Sequence, residues 1–285
     1  MTMLKIKNVG QTYTTDAGQR VEALRDITVD IPRGQIVTLV GPSGCGKSTL
    51  LKIIGGFFPA TAGQVTVSDP SLTNDPDGEI AERVIDRPGI DRGVVFQQPT
   101  LFPWLSVRDN VQLASEFSKD RDSKAAKRKK AHELLDLVGL TYAAERYPHE
   151  LSGGMQQRAQ IARILASMPE TVLMDEPFGA LDPFTREQLQ AELLRMWHED
   201  QPTIIFVTHS VEEAILLGHR VVVMAAHPGR ILADVNVDHV AVPHPSGDRE
   251  SIAAQLRETK ADPAFVRLRH ELSELIAQAH GEGNH

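Results

Sequence analysis

The stretch Gly41-Pro-Ser-Gly-Cys-Gly-Lys-Ser48 constrains the fold more than any other part of the sequence. It stands between a largely β-branched run, Ile36–Val40, and a helical pattern over Ser48–Phe57, so strand, glycine-rich turn and helix follow one another directly. Glycines let backbone N–H groups turn inward around anionic oxygens, and the helix start adds the positive end of a dipole. With Lys47 able to reach the outer phosphates of a nucleotide and the Ser48 hydroxyl able to ligate Mg²⁺, the stretch reads as a phosphate-binding loop. Gly41, Pro42, Ser43, Gly44, Cys45, Gly46, Lys47, Ser48 and Thr49 are the candidate nucleotide-binding residues. A chance glycine turn would have neither the fixed lysine and serine nor these flanks.

The rest of the chain supplies a matching frame. Met1 to Gly10 alternates as a strand does, and it lacks the apolar core of a secretory signal. Further strands are predicted at Ile27–Ile31, Gln64–Val67, Gly93–Phe96, Thr171–Asp175, Thr203–Thr208 and Arg220–Met224. Helical patterns over Ala125–Val138, Ser152–Ala166, Arg186–Trp197 and Val211–Leu217 alternate with them, which predicts a three-layer α/β core around a mainly parallel sheet. The stretch from 97 to 166 is long enough for an inserted helical subdomain. Asn74 to Arg92, with Pro76, Gly78, Pro88 and Gly89, reads as a surface excursion outside the sheet. Asp234 to Lys260 reads as a linker to a last helix that Asp262 caps and Pro263 opens, followed by Phe265, Val266, Leu268, Leu272, Leu275 and Ile276 at helical spacing.

Composition narrows the function. The net charge of −8 argues against non-specific nucleic-acid binding, which needs surplus Lys and Arg. The basic run Lys124 to Lys130 lies on a predicted amphipathic helix and reads as its solvated face. Cys45 is the single cysteine, which rules out an internal disulfide and suits a reducing compartment. No stretch reaches the roughly 18 consecutive apolar residues that span a bilayer, so a membrane role is expected to be peripheral.

Thr171-Val-Leu-Met-Asp175-Glu176 is an apolar strand ending in two acids, at the strand end where α/β sheets bind ligands. Beside a phosphate loop, Asp175 suits Mg²⁺ and Glu176 suits the orientation or deprotonation of an attacking water. Upstream lies Leu151-Ser-Gly-Gly-Met-Gln156, in which Ser152 can cap a helix while Gly153 and Gly154 leave its first N–H groups open to an anion.

This last segment resembles the signature sequence of ATP-binding cassette ATPases, with Met155 where glutamine is commonest. The resemblance covers roughly residues 3 to 230. It implies a phosphate-loop NTPase core with an N-terminal antiparallel β subdomain and the inserted helical subdomain, followed by a linker and amphipathic helix over 231–285. It further implies ATP and Mg²⁺ as ligands, and a head-to-tail homodimer in which Ser152, Gly153 and Gly154 meet the γ-phosphate held by the opposite subunit. In the same family pattern, Gln97 senses Mg²⁺ and the attacking water, Asp182 belongs to the loop that communicates between sites, His209 contacts the γ-phosphate, and Tyr13 stacks on adenine. An exposed loop tyrosine without a ligand is the competing reading of Tyr13, and Cys45 is either a bystander or a target for thiol reagents.

Phe102-Pro-Trp-Leu-Ser-Val-Arg-Asp-Asn110 is similar to subunits of importers for nitrate, sulfonates and taurine. Phe102, Trp104 and Leu105 there would dock a membrane permease or fill the helical subdomain. The expectation is an ATP-hydrolysing, energy-coupling importer subunit on the cytoplasmic face of the membrane, served indirectly by a substrate-binding protein and binding no nucleic acid. The alternative is a soluble cassette ATPase of DNA repair or translation, which usually carries a long coiled-coil insertion or a second cassette. A phosphate-loop kinase or GTPase gives no reason for Ser152–Gly154.

Overall fold

A computed structural model describes residues 2–68, 81–117, 123–240 and 247–281. They divide into two compact units, Met1–Gly89 with Thr203–His244 and Gln255–His285, and Ile90–Pro202 with Pro245–Ala254.

In the first unit, β1 (Thr2–Thr14), β2 (Arg20–Pro32), β4 (Ala62–Ser68) and β5 (Glu82–Val84) form an antiparallel sheet in the order β2-β1-β4-β5. The register pairs Leu4 with Ile31 and Val67, and Ile6 with Val29 and Val65, so one face gathers buried aliphatic residues while Lys7, Thr28 and Asp30 face outward. Each such burial contributes about 1.5–3 kcal/mol. β5 corrects the expectation that the whole excursion over 74–92 lies outside the sheet. Glu82 accepts hydrogen bonds from Lys5 and Thr66, and Ile85 is buried, which holds an edge strand too short and too charged to show alternation. Residues 74–80 lie outside the described residues.

The same unit holds β3 (Ile36–Val40), parallel to both β8 (Thr203–Val207) and β9 (Arg220–Ala225), with β10 (Arg230–Asn236) antiparallel on β9. Every residue of β3 and β8 is buried, the near-continuous apolar pattern of strands covered on both faces. Helix α1 (Lys47–Ile54) follows β3, and α6 (Val211–Leu217) follows β8. Helix α8 (Pro263–Gly281) packs on α6 and β9 with Phe265, Leu268 and Leu272 buried. Its Asp262 carboxylate accepts from the Ala264 N–H at 2.6 Å, as the Asp-Pro start predicts. The stretch read as a linker holds the end of β10 and most of α7 (Arg249–Ala261), whose polar sequence hides its helical period.

The second unit pairs β6 (Arg92–Val95) in parallel with β7 (Thr171–Asp175). Helices α2 (Val107–Ala114), α3 (Lys124–Leu137) and α4 (Gly153–Ala166) pack on one another. Helix α5 (Pro183–Asp200) follows β7. Lys124, Arg128 and Lys129 on α3 are exposed, so the basic run is a solvated face. Among the described residues no helix is long and apolar enough to cross a membrane.

Candidate functional site

The phosphate loop is shaped by its glycines. Gly41 and Gly46 hold φ of +152° and +92°, and a Cβ would come within 2.3 Å of the Met224 carbonyl at the first and 2.4 Å of Leu24 at the second. Only glycine takes those conformations without strain, so the loop is set by backbone rather than by side-chain contacts. Gly46 caps α1 in the left-handed conformation, and its carbonyl accepts from the Leu50 N–H at 2.8 Å. Lys47, 5% exposed, donates to the carbonyls of Gly41 at 2.8 Å and Pro42 at 2.9 Å, which stretches its chain along the loop.

Cys45 is fully buried, and burial pushes its thiol above the usual range against the opposing pull of Lys47. A buried thiol kept protonated is a poor nucleophile, which supports the bystander reading of Cys45. Ser43 and Gly44 form the exposed crest, while Ser48 and Thr49 are half-buried at the helix start.

Two other candidates lie in the first unit. Tyr13 stands on β1, 41% exposed, with its ring edge-on to Phe58 at 6.3 Å between centroids. His209 is exposed between β8 and α6. The turn around it is built by its neighbours: the Thr208 hydroxyl donates to Glu213 at 2.5 Å, and the Ser210 hydroxyl accepts from the Glu213 N–H at 3.2 Å.

In the second unit β7 ends as predicted, with Asp175 buried and Glu176 next to it. Glu176 has φ of +49°, an unusual conformation for a residue with a side chain, at a cost of about 1–2 kcal/mol. Its carboxylate accepts from Gln97 Nε2 at 3.1 Å, so these two sequence candidates meet.

The Ser152 hydroxyl accepts from the Met155 N–H at 3.3 Å and caps α4, while Ser152 and Gly153 are exposed. Such a cap contributes about 1 kcal/mol and leaves the first N–H groups facing outward. Met155 lies beside the Tyr142 hydroxyl at 3.9 Å. Asp182 caps α5, its carboxylate accepting from the Thr185 N–H at 3.0 Å, and contacts with Thr185 hold its carboxyl below the usual range.

The sequence reading missed the side chains that hold these loops. Asn110, fully buried, accepts from the Phe102 N–H at 2.8 Å and donates to the carbonyls of Phe102, Leu105 and Ser106, closing the turn over 102–106. That turn presents Trp104, 70% exposed, against Phe102 at 5.5 Å, while Leu105 is half-buried. Gln157, Gln160 and Arg163 on α4 bind the backbone of Phe96 and Thr100. Buried polar residues on an otherwise apolar helix face were the available signal.

A positive-φ glycine loop closed by a lysine, a strand ending in Asp-Glu and a serine-capped Gly-Gly helix start define a nucleotide-hydrolysing cassette. The family profile described as ABC transporter matches residues 24–179, and the chain belongs to that family. It binds and hydrolyses ATP to power transport. It is 43% identical over 276 residues to the Taurine import ATP-binding protein TauB of Jannaschia sp. (strain CCS1), covering 97% of this chain and 94% of that protein. It is 40% identical over 268 residues to the Nitrate import ATP-binding protein NrtD of Synechococcus elongatus, with 92% of each covered. Among solved structures it is similar to the dimeric post-hydrolysis state of the ATP-binding cassette MJ0796 bound to ADP and Pi, at 33% identity and a TM-score of 0.71, covering 82% of this chain and 99% of that one.

Proposed function

We propose that this chain is the energy-coupling subunit of an importer for a small anionic or zwitterionic compound such as taurine, another sulfonate or nitrate. It works on the cytoplasmic face of the membrane as a head-to-tail homodimer docked on a separate permease, with a substrate-binding protein delivering the cargo. The relatives named for taurine and nitrate import support this reading and do not favour a role in DNA repair or translation. The observation that carries the chemistry is the Gln97–Glu176 hydrogen bond at a strained strand end.

In this reading ATP lies with adenine on Tyr13 and its phosphates along residues 41–49. Lys47 stabilises charge spreading over the γ-phosphoryl group. Glu176 accepts a proton from water as the water oxygen bonds to the γ-phosphorus and the bond to ADP breaks. His209 contacts the same phosphoryl group, and Ser152, Gly153 and Gly154 of the opposite subunit close over it, with Asp182 between the two sites. Ser48, Asp175 and the Gln97 Oε1 are hard oxygen donors of the kind Mg²⁺ takes, and Gln97 donates through Nε2, which leaves Oε1 for the ion. Bound Mg²⁺ would neutralise phosphate charge. Domain roles follow: residues 3–230 form the motor, 97–166 the permease-facing helical subdomain, and 231–285 a C-terminal extension. Trp104 and Phe102 suit an apolar coupling element of the permease.

The test is ATP hydrolysis by the subunit assembled with its permease in membranes, with binding protein loaded in turn with taurine, another sulfonate or nitrate. Stimulation by one of these cargoes is expected. Hydrolysis that ignores permease and cargo and responds to DNA or ribosomes would overturn the reading.

A further inference from the structure

Helix α4 starts at Ser152–Gly154, and farther along it holds the segment that carries Gln97. Phe96 and Thr100 flank that segment, and both are bound by α4 side chains. Gln160, which has no exposed surface, donates through Nε2 to the Phe96 carbonyl at 2.7 Å. Its Oε1 accepts from the Thr100 N–H at 2.8 Å and from the Thr100 hydroxyl at 2.9 Å. Gln157 adds a longer bond to Phe96 at 3.3 Å, and Arg163 donates to the Thr100 carbonyl at 2.7 Å and hydroxyl at 2.9 Å.

We propose that Gln160 is a positioning residue for ATP hydrolysis, gripping both ends of the Gln97 segment so that the Gln97 amide stays on the Glu176 carboxylate. Phe96 offers an acceptor and Thr100 offers two donors, and a side-chain amide is the group that carries a donor and an acceptor together. Gln97 itself is exposed, and an exposed glutamine on an untethered loop spreads over many rotamers and backbone states. Pins on both sides of it remove the backbone part of that freedom. Gln157 touches one end and Arg163 the other, whereas Gln160 spans both. The same rigid helix that begins at the signature residues therefore carries the support of Gln97.

The proposal rests on the reading that Gln97 and Glu176 act together, and a double-mutant cycle in the full-length protein separates the two claims. Steady-state ATP hydrolysis is measured for the wild type, Gln160→Ala, Gln97→Ala and the double variant, at temperatures well below the unfolding transition of each. Gln160→Ala is expected to lower kcat about tenfold to a hundredfold, as a small misplacement near a reacting centre does, with KM for ATP within about twofold. In the Gln97→Ala background the same substitution is expected to change kcat by less than about twofold. The same factor in both backgrounds would mean a general weakening of the fold and would overturn the proposal. A wild-type rate for Gln97→Ala would remove the reading of Gln97 and this proposal with it. A slow Gln97→Ala beside a wild-type Gln160→Ala would remove the positioning role alone.

Gln160→Glu supplies a second readout. A buried carboxylate has its pKa raised and faces the Phe96 carbonyl with like charge, but once protonated it can donate there. Its rate relative to the wild type is expected to rise as pH falls, and a pH-independent ratio would contradict the proposal.

Discussion

The phosphate loop and the Gln97 segment both leave the ends of parallel strands, β3 and β6, yet they are held by opposite means. The phosphate loop is a backbone object: Gly41 and Gly46 take conformations closed to other residues, and Lys47 lies along carbonyls of its own loop. The Gln97 segment has no such glycines, and it is held through carbonyls, N–H groups and a hydroxyl gripped by side chains of α4. A backbone-built loop keeps its shape whatever its neighbours do. A side-chain-held loop takes its position from the helix that grips it, so substitutions on α4 can displace Gln97 without touching its own segment.

That contrast sets the order of expected effects. Lys47→Ala removes the one fixed cation of the backbone-built loop while leaving the glycines intact, so turnover at saturating ATP and Mg²⁺ is expected to fall about a thousandfold. A rate near that of the wild type would show that the loop geometry alone binds and activates the phosphates. Trp104→Ala acts on a surface set by Asn110 rather than on either nucleotide loop. It is expected to weaken permease association about thirtyfold, the scale of one aromatic hot spot, with ATP hydrolysis by the isolated subunit within about twofold. A pull-down that finds association unchanged would leave the exposed Trp104 without a docking role. The smallest effect is expected at Cys45: its raised thiol pKa and full burial predict alkylation far slower than in the unfolded chain, accelerating only as pH climbs past the ordinary thiol range. Rapid labelling of the folded protein at neutral pH would show that the loop opens.

The same contrast explains what was legible in the sequence. The glycine loop, the Asp175-Glu176 strand end and the Ser152 cap are local: each needs only neighbours in the chain, and each lies where its residues predict. β3 and α6 match their predicted bounds because continuous burial and a serine cap leave no competing register. The grip of Gln160 on Phe96 and Thr100 joins residues far apart in sequence, so no local pattern encodes it. β5 is three residues held by partners elsewhere, and the period of α7 is hidden by polar positions. The positive φ of Glu176 had no sequence signal, since glutamate is not a residue type that favours it.

The central claim is that Glu176 performs the hydrolytic step in a site completed by the signature residues of a second copy. Glu176→Gln keeps the shape of the side chain, removes the base and removes one negative charge near the γ-phosphate, so the protein should bind ATP, hydrolyse it very slowly and collect as an ATP-bound dimer. Adding Ser152→Glu sets a carboxylate against the phosphate of the opposite subunit and should abolish the dimer while leaving ATP binding by the monomer in place. Light scattering coupled to size exclusion, with and without ATP, reads both outcomes. The account predicts an ATP-dependent dimer for Glu176→Gln and a monomer for the double variant. An ATP-independent monomer for Glu176→Gln across micromolar protein, or a dimer that survives Ser152→Glu, would contradict it.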